Sequence, residues 1–121
     1  MSGIYIHIPF CKQACNYCNF HFATSLLKKD ALLAAIRKEI ALTVKDQHAL
    51  IHTIYFGGGT PSLLHIDEIA SLLQAIRSFY KVDAHAEVTL EANPDDITEE
   101  KLQGWKSIGI NRLSIGIQSF F

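Results

Sequence analysis

Cys11, Cys15 and Cys18 fall within eight residues near the start of the chain, in the stretch "CKQACNYC", and are its only cysteines. An odd count at such close spacing does not make a disulfide framework, and reduced thiols packed this densely bind metal or carry redox chemistry. Three thiolates in one loop suit three corners of an iron–sulfur cubane whose fourth iron stays open to another ligand. A Cys3His zinc site completed by His21 or His7 would use the same residue types, and three reduced cysteines without a ligand form a third reading. Spacing alone leaves these open.

Three other stretches could meet a ligand. "GGGTP", from Gly57 to Pro61, is neither G-x-G-x-x-G nor a P-loop, so no motif supports binding of a nucleotide phosphate. Its glycines do let backbone N–H and C=O groups approach a polar amino-acid moiety. Glu91 in "LEANPDD" and Gln118 in "LSIGIQSF" are polar residues at strand ends, and contact with water explains either one alone.

Alternating strand-like and helix-like periods must position these residues. Strands are predicted over 4–8, 52–56, 86–92 and 112–118. Between them, one helical face runs through Leu32, Leu33, Ile36, Ile40 and Val44, and a second, over 66–80, through Ile66, Ile69, Leu72, Leu73, Ile76 and Phe79. Thr98 can cap a third helix, with Glu99 and Glu100 in its first turn and Gly109 at its end. Crossovers of this length make an α/β protein with a parallel sheet in strand order 1-2-3-4. Such folds keep their chemistry at the carboxyl ends of the strands. The cysteine loop, the glycine turn, Glu91 and Gln118 then all meet on one rim. An apolar strand closing the sequence at its edge leads us to expect 1–121 to be a fragment, about half of a larger barrel.

The 121 residues are 49% hydrophobic with a formal net charge of -1, enough for a core and without the basic block that nucleic-acid binding needs. Lys28 and Lys29 are read as the solvated start of a helix. No run approaches a membrane span and the first residues do not form a signal peptide, so an integral membrane protein is not expected and the location is read as cytoplasmic. His48, His52, His65 and His85 are read as surface residues in loops or at strand starts.

The C-x3-C-x2-C loop, "GGGTP", "LEANPDD" and "NRLSIGIQSF", in this order, resemble the N-terminal half of the radical S-adenosylmethionine (SAM) enzymes. Within them, "YIHIPFC" and "YFGGGTPSLL" resemble the oxygen-independent coproporphyrinogen III oxidase group. The resemblance implies that 1–121 is the N-terminal part of a radical SAM core domain, a partial (β/α)6 barrel. It also implies a [4Fe-4S] cluster on Cys11, Cys15 and Cys18, with SAM chelating the open iron. Tyr5 would pack against the bound SAM and Tyr17 would lie beside its adenine. Gly58, Gly59 and Thr60 would meet its methionine end, and Glu91 and Gln118 the ribose side. The true oxidases resemble this chain but carry a further cysteine where Phe20 stands, and "CNYCNFHF" is similar instead to the haem chaperone branch. That branch implies haem or a related tetrapyrrole as ligand, haem-accepting proteins and a one-electron donor protein as partners. His7 and His21 are read as rim histidines rather than haem ligands.

Overall fold

The β-branched run at the start of the chain forms strand β1 (Ser2–Ile8) in the computed structural model, which describes residues 2–9, 19–43, 49–59 and 61–115. There follow α1 (Asn19–Leu42), β2 (Leu50–Gly58), α2 (Ile66–Phe79), β3 (Lys81–Ala92), α3 (Glu99–Ile108) and β4 (Arg112–Ile115). Short 3-10 helices, Pro61–Leu63 and Pro94–Asp96, follow β2 and β3. All three strand pairings are parallel and the order is β1-β2-β3-β4, as the sequence predicts.

Successive strand residues point to opposite faces, and here the two faces differ in kind. Ile6, Ile8, Ile54, Phe56, Val88, Leu90 and Ala92 are buried in one core with Leu33 and Ile40 of α1, Ile69, Leu72, Leu73 and Ile76 of α2, and Trp105 of α3. Each such side chain contributes about 1.5–3 kcal/mol on full burial, so the helix-covered face holds the sheet together. Helices α1 and α2 are joined at the surface by Lys29 Nζ, 3.3 Å from Glu68 Oε2, and by Arg37 Nη1, which donates to Ser71 Oγ at 3.3 Å. Thr98 Oγ1 accepts from Lys101 N–H at 3.1 Å and Gly109 ends α3, both as expected.

Several boundaries differ from the sequence reading. Helix α1 begins at Asn19, well before the apolar face that opens at Leu32, because the intervening residues contain no glycine or proline to stop it. Lys29 therefore lies within a helix and pairs with Glu68, instead of opening one in solvent. Strand β3 begins at Lys81 rather than 86, since its first turns pair Leu50 with Lys81 and Ile51 with Val82 despite their polar neighbours. His85 thus lies inside β3, His52 inside β2 and His65 just before α2, while His48 is outside the described residues. Phe79, assigned to the buried face of α2, is 46% exposed at its end. Leu113 packs against the core while Ile115 is 52% exposed, and Ile117 lies outside the described residues. Asn111 extends the β3–β4 pairing with its side chain. Its Oδ1 accepts from Val88 N–H at 2.8 Å and its Nδ2 donates to Ala86 C=O at 2.9 Å.

Candidate functional site

The polar face of the sheet is assembled by register. Tyr5 pairs with Tyr55, Tyr55 with Thr89 and Thr89 with Arg112, while one step toward the carboxyl ends His7 pairs with Gly57 and Glu91 with Ser114. Period-two alternation aims all of these away from the core. Lower on this face, Arg112 Nη1 lies 2.9 Å from Glu87 Oε1 in an exposed ion pair.

Glu91 is the hub of the rim. Its Oε1 accepts from the Gly58 N–H at 2.9 Å and its Oε2 from the Tyr55 hydroxyl at 2.8 Å, which leaves each carboxylate oxygen further lone-pair capacity for a ligand donor. The Tyr5 ring stacks on Tyr55 with centroids 5.7 Å apart and 18° between planes, and its hydroxyl is 3.4 Å from His7 Nδ1. The Gly59 N–H donates to Ile8 C=O at 2.6 Å, tying the glycine turn to the end of β1. The Ser114 hydroxyl beside Tyr55 pulls its pKa down, but the hydrogen bond to Glu91, burial and the Glu91 charge outweigh it and hold the phenol above its ordinary value. Tyr55 is therefore a neutral donor to Glu91 throughout the physiological range.

The glycines serve two separate needs. Gly58 has φ 110°, and a Cβ there would come within 2.7 Å of Ile8 O and 2.8 Å of the His7 ring. A side chain at Gly58 would thus press on the end of β1. Gly57 is buried against the cradle. A Cβ on it would lie 2.8 Å from Tyr5 Oη and from Tyr55 Cε1, and 2.9 Å from Glu91 Oε1. Aromatic walls, a carboxylate and exposed backbone fit a small ligand with amine or hydroxyl donors and a cationic centre.

Behind the rim, the turn after β2 is fastened to the turn after β3. Ser62, fully buried, donates from Oγ to Asp96 Oδ2 at 2.9 Å and accepts from Asn93 N–H at 3.2 Å.

Of the residues singled out from sequence, Tyr5, Gly58, Gly59 and Glu91 are brought together. Cys11, Cys15, Cys18, Tyr17, Thr60 and Gln118 lie outside the described residues. Sequence reading took Gly57 only as part of the glycine run and missed Tyr55 and Ser62; the period-two step from Tyr55 to Gly57 was the available signal for Tyr55. Among the described residues no helix is long and apolar enough to cross a membrane.

Residues 5–121 match the family model described as the Radical SAM superfamily. The chain belongs to the radical SAM superfamily. It is 39% identical over 126 residues to "Heme chaperone HemW" of Synechocystis sp., covering 98% of this chain and 30% of that protein. It is 40% identical over 125 residues to "Heme chaperone HemW" of Haemophilus influenzae, covering 98% of this chain and 33% of that one. With "Oxygen-independent coproporphyrinogen III oxidase" of Bradyrhizobium diazoefficiens it shares 35% over 125 residues, 98% of this chain and 27% of the relative. The solved structure of coproporphyrinogen III oxidase (HemN) from Escherichia coli superposes with a TM-score of 0.79 at 30% identity, over 98% of this chain and 28% of that one. The chain therefore spans 27–33% of the length of these relatives. Its four parallel strands in consecutive order match part of a radical SAM barrel, and membership of the superfamily implies a [4Fe-4S] cluster and SAM.

Proposed function

We propose that residues 1–121 are the N-terminal part of a radical SAM core domain that serves a tetrapyrrole-handling protein, a haem chaperone that binds haem and delivers it to haem-accepting proteins. Cys11, Cys15 and Cys18 would hold the cluster, and the chemistry of three thiolates, with one iron left over, fits that group. SAM would lie on the rim against Tyr5, Gly58, Gly59 and Glu91, with Tyr17, Thr60 and Gln118 completing the site. The single observation that carries this reading is the hydrogen bond that the Gly58 N–H donates to the Glu91 carboxylate, which also accepts from Tyr55 of the Tyr5–Tyr55 stack. When bound, the cluster and SAM supply one-electron radical chemistry, and a donor protein supplies the electron.

The chain's own residues bind and orient. Glu91 fixes the Gly58 N–H and offers its remaining lone pairs to ligand hydroxyl or amino groups. Neutral Tyr55 holds the carboxylate in place from the other side. The exposed Tyr5 face gives a cationic ligand an aromatic surface and shields it from water. Phe20, where the oxidases carry a further cysteine, favours the chaperone, as do the relatives bearing that name. The oxidase remains as a second reading, favoured by the relative and the solved structure of that name. We assign the protein to the cytoplasm.

Titration of the anaerobically reconstituted protein with haem and with coproporphyrinogen separates the two. Stoichiometric haem binding without turnover of coproporphyrinogen is the result expected, and decarboxylation of coproporphyrinogen would overturn the chaperone assignment.

A further inference from the structure

Two hydrogen-bonded ties join the carboxyl end of β2 and the turn after it to the carboxyl end of β3 and the turn after it, and they differ in environment. The first, from Gly58 N–H to Glu91, lies at the exposed rim, where water and an arriving ligand compete for the same carboxylate. The second is buried. Ser62 has no exposed surface and Asp96 is 7% exposed, and their O–H···O contact of 2.9 Å is backed by the Asn93 N–H on the same Ser62 oxygen. Pro61 and Leu64, on either side of Ser62, are buried as well. A charge-assisted bond shielded from water is stronger than its exposed counterpart and does not change partners when a ligand arrives.

We propose that Ser62 and Asp96 are positioning residues for the rim: their buried bond sets the separation of Gly57–Gly59 from Glu91 before SAM arrives, so that binding does not have to order the two turns. This rests on the rim being the SAM site. The sequence supports the geometry, since Ser62 lies three residues beyond Gly59 and Asn93 two beyond Glu91, so each end of the latch is a short stretch of chain from the rim. Preorganisation of this kind appears as affinity, because the ordering entropy has been met in folding.

The test uses the anaerobically reconstituted protein and two readings. In Ser62→Ala the dissociation constant for SAM should rise about tenfold, equivalent to ~1.4 kcal/mol, with iron content and the spectrum of the reduced cluster without SAM unchanged. Without SAM, amide hydrogen exchange at Gly58 and Gly59 should accelerate. Asp96→Ala should behave likewise, whereas Asp96→Asn, which keeps the volume and an acceptor for Ser62 but loses the charge, should fall between the parent and Asp96→Ala in both readings. Should Ser62→Ala not accumulate in folded form, the Asp96→Ala and Asp96→Asn pair decides alone. If the parent binds SAM and the variants bind it equally, with exchange at the glycines unaltered and only a lower melting temperature, the latch is merely structural and the proposal is overturned. If the parent does not bind SAM at all, the reading of the rim fails, and the latch with it.

Discussion

Replacing Glu91 tests how the rim is built. Its carboxylate serves two donors, Gly58 N–H and the Tyr55 hydroxyl, at 2.9 and 2.8 Å. Hydrogen bonds to a charged acceptor contribute about 1.5–3 kcal/mol each when shielded, and partial exposure of this rim brings the pair to roughly 2–3 kcal/mol in total. Glu91→Gln keeps the shape and one acceptor oxygen, so one donor of the two faces an amide NH2. SAM binding should weaken about tenfold in Glu91→Gln and about a hundredfold in Glu91→Ala, where both bonds and the ligand's acceptor are lost. Equilibrium dialysis of SAM against reconstituted protein of matched iron content gives the affinities, and thermal melting gives the part of the loss that falls on stability. If both variants bind SAM within a factor of about two of the parent, Glu91 neither braces the turn nor meets the ligand.

Gly58→Ala forces an L-residue to φ 110° against Ile8 O, so denaturant unfolding should show a loss of about 2 kcal/mol, and unchanged stability would contradict the geometry. Gly57→Ala should also be destabilising, because the added methyl would press on Tyr5 Oη, Tyr55 Cε1 and Glu91 Oε1 at 2.8–2.9 Å, and with the cradle displaced SAM affinity should fall about tenfold; parent-like stability and affinity would contradict the geometry. Tyr55 has its folded pKa raised above the ordinary value of 10.0, so its contribution to stability is complete below that pH and is lost as pH rises through the folded pKa. A melting-temperature profile should therefore fall more steeply above about pH 10 in the parent than in Tyr55→Phe, and coincident profiles would refute the assignment. Alanine at any one of Cys11, Cys15 or Cys18 should abolish iron uptake and leave the helical circular dichroism in place; retention of a full complement of iron would exclude that cysteine as a ligand.

The strand order was legible because buried positions in parallel strands read as apolar runs and each crossover contains one helix, with α2 and α3 amphipathic along their length. The glycine turn and Glu91 were legible as a rim because both end strands of that sheet. What was hidden depends on pairing between distant segments. Strand β3 starts early through contacts with Leu50 and Ile51 that its own polar residues do not announce. Ser62 looks like an ordinary serine until Asp96 is brought 2.9 Å from it across 34 residues of chain. Lys29 has the composition of a solvated residue, and only the packing of α1 on α2 gives it Glu68. Gly58 was singled out for close approach to a ligand, and its φ and the nearness of Ile8 give a conformational reason for its identity as well.

The most direct measurement of the central claim is the electron paramagnetic resonance spectrum of the anaerobically reconstituted, reduced protein, recorded with and without SAM. Three cysteine ligands and a SAM site on the adjoining rim predict a [4Fe-4S]+ signal, with about four irons per chain, whose g-values shift when SAM is added and stay unshifted in Glu91→Ala at the same concentration. A chain that takes up zinc and no iron, or a cluster signal that saturating SAM leaves unchanged, would contradict the account.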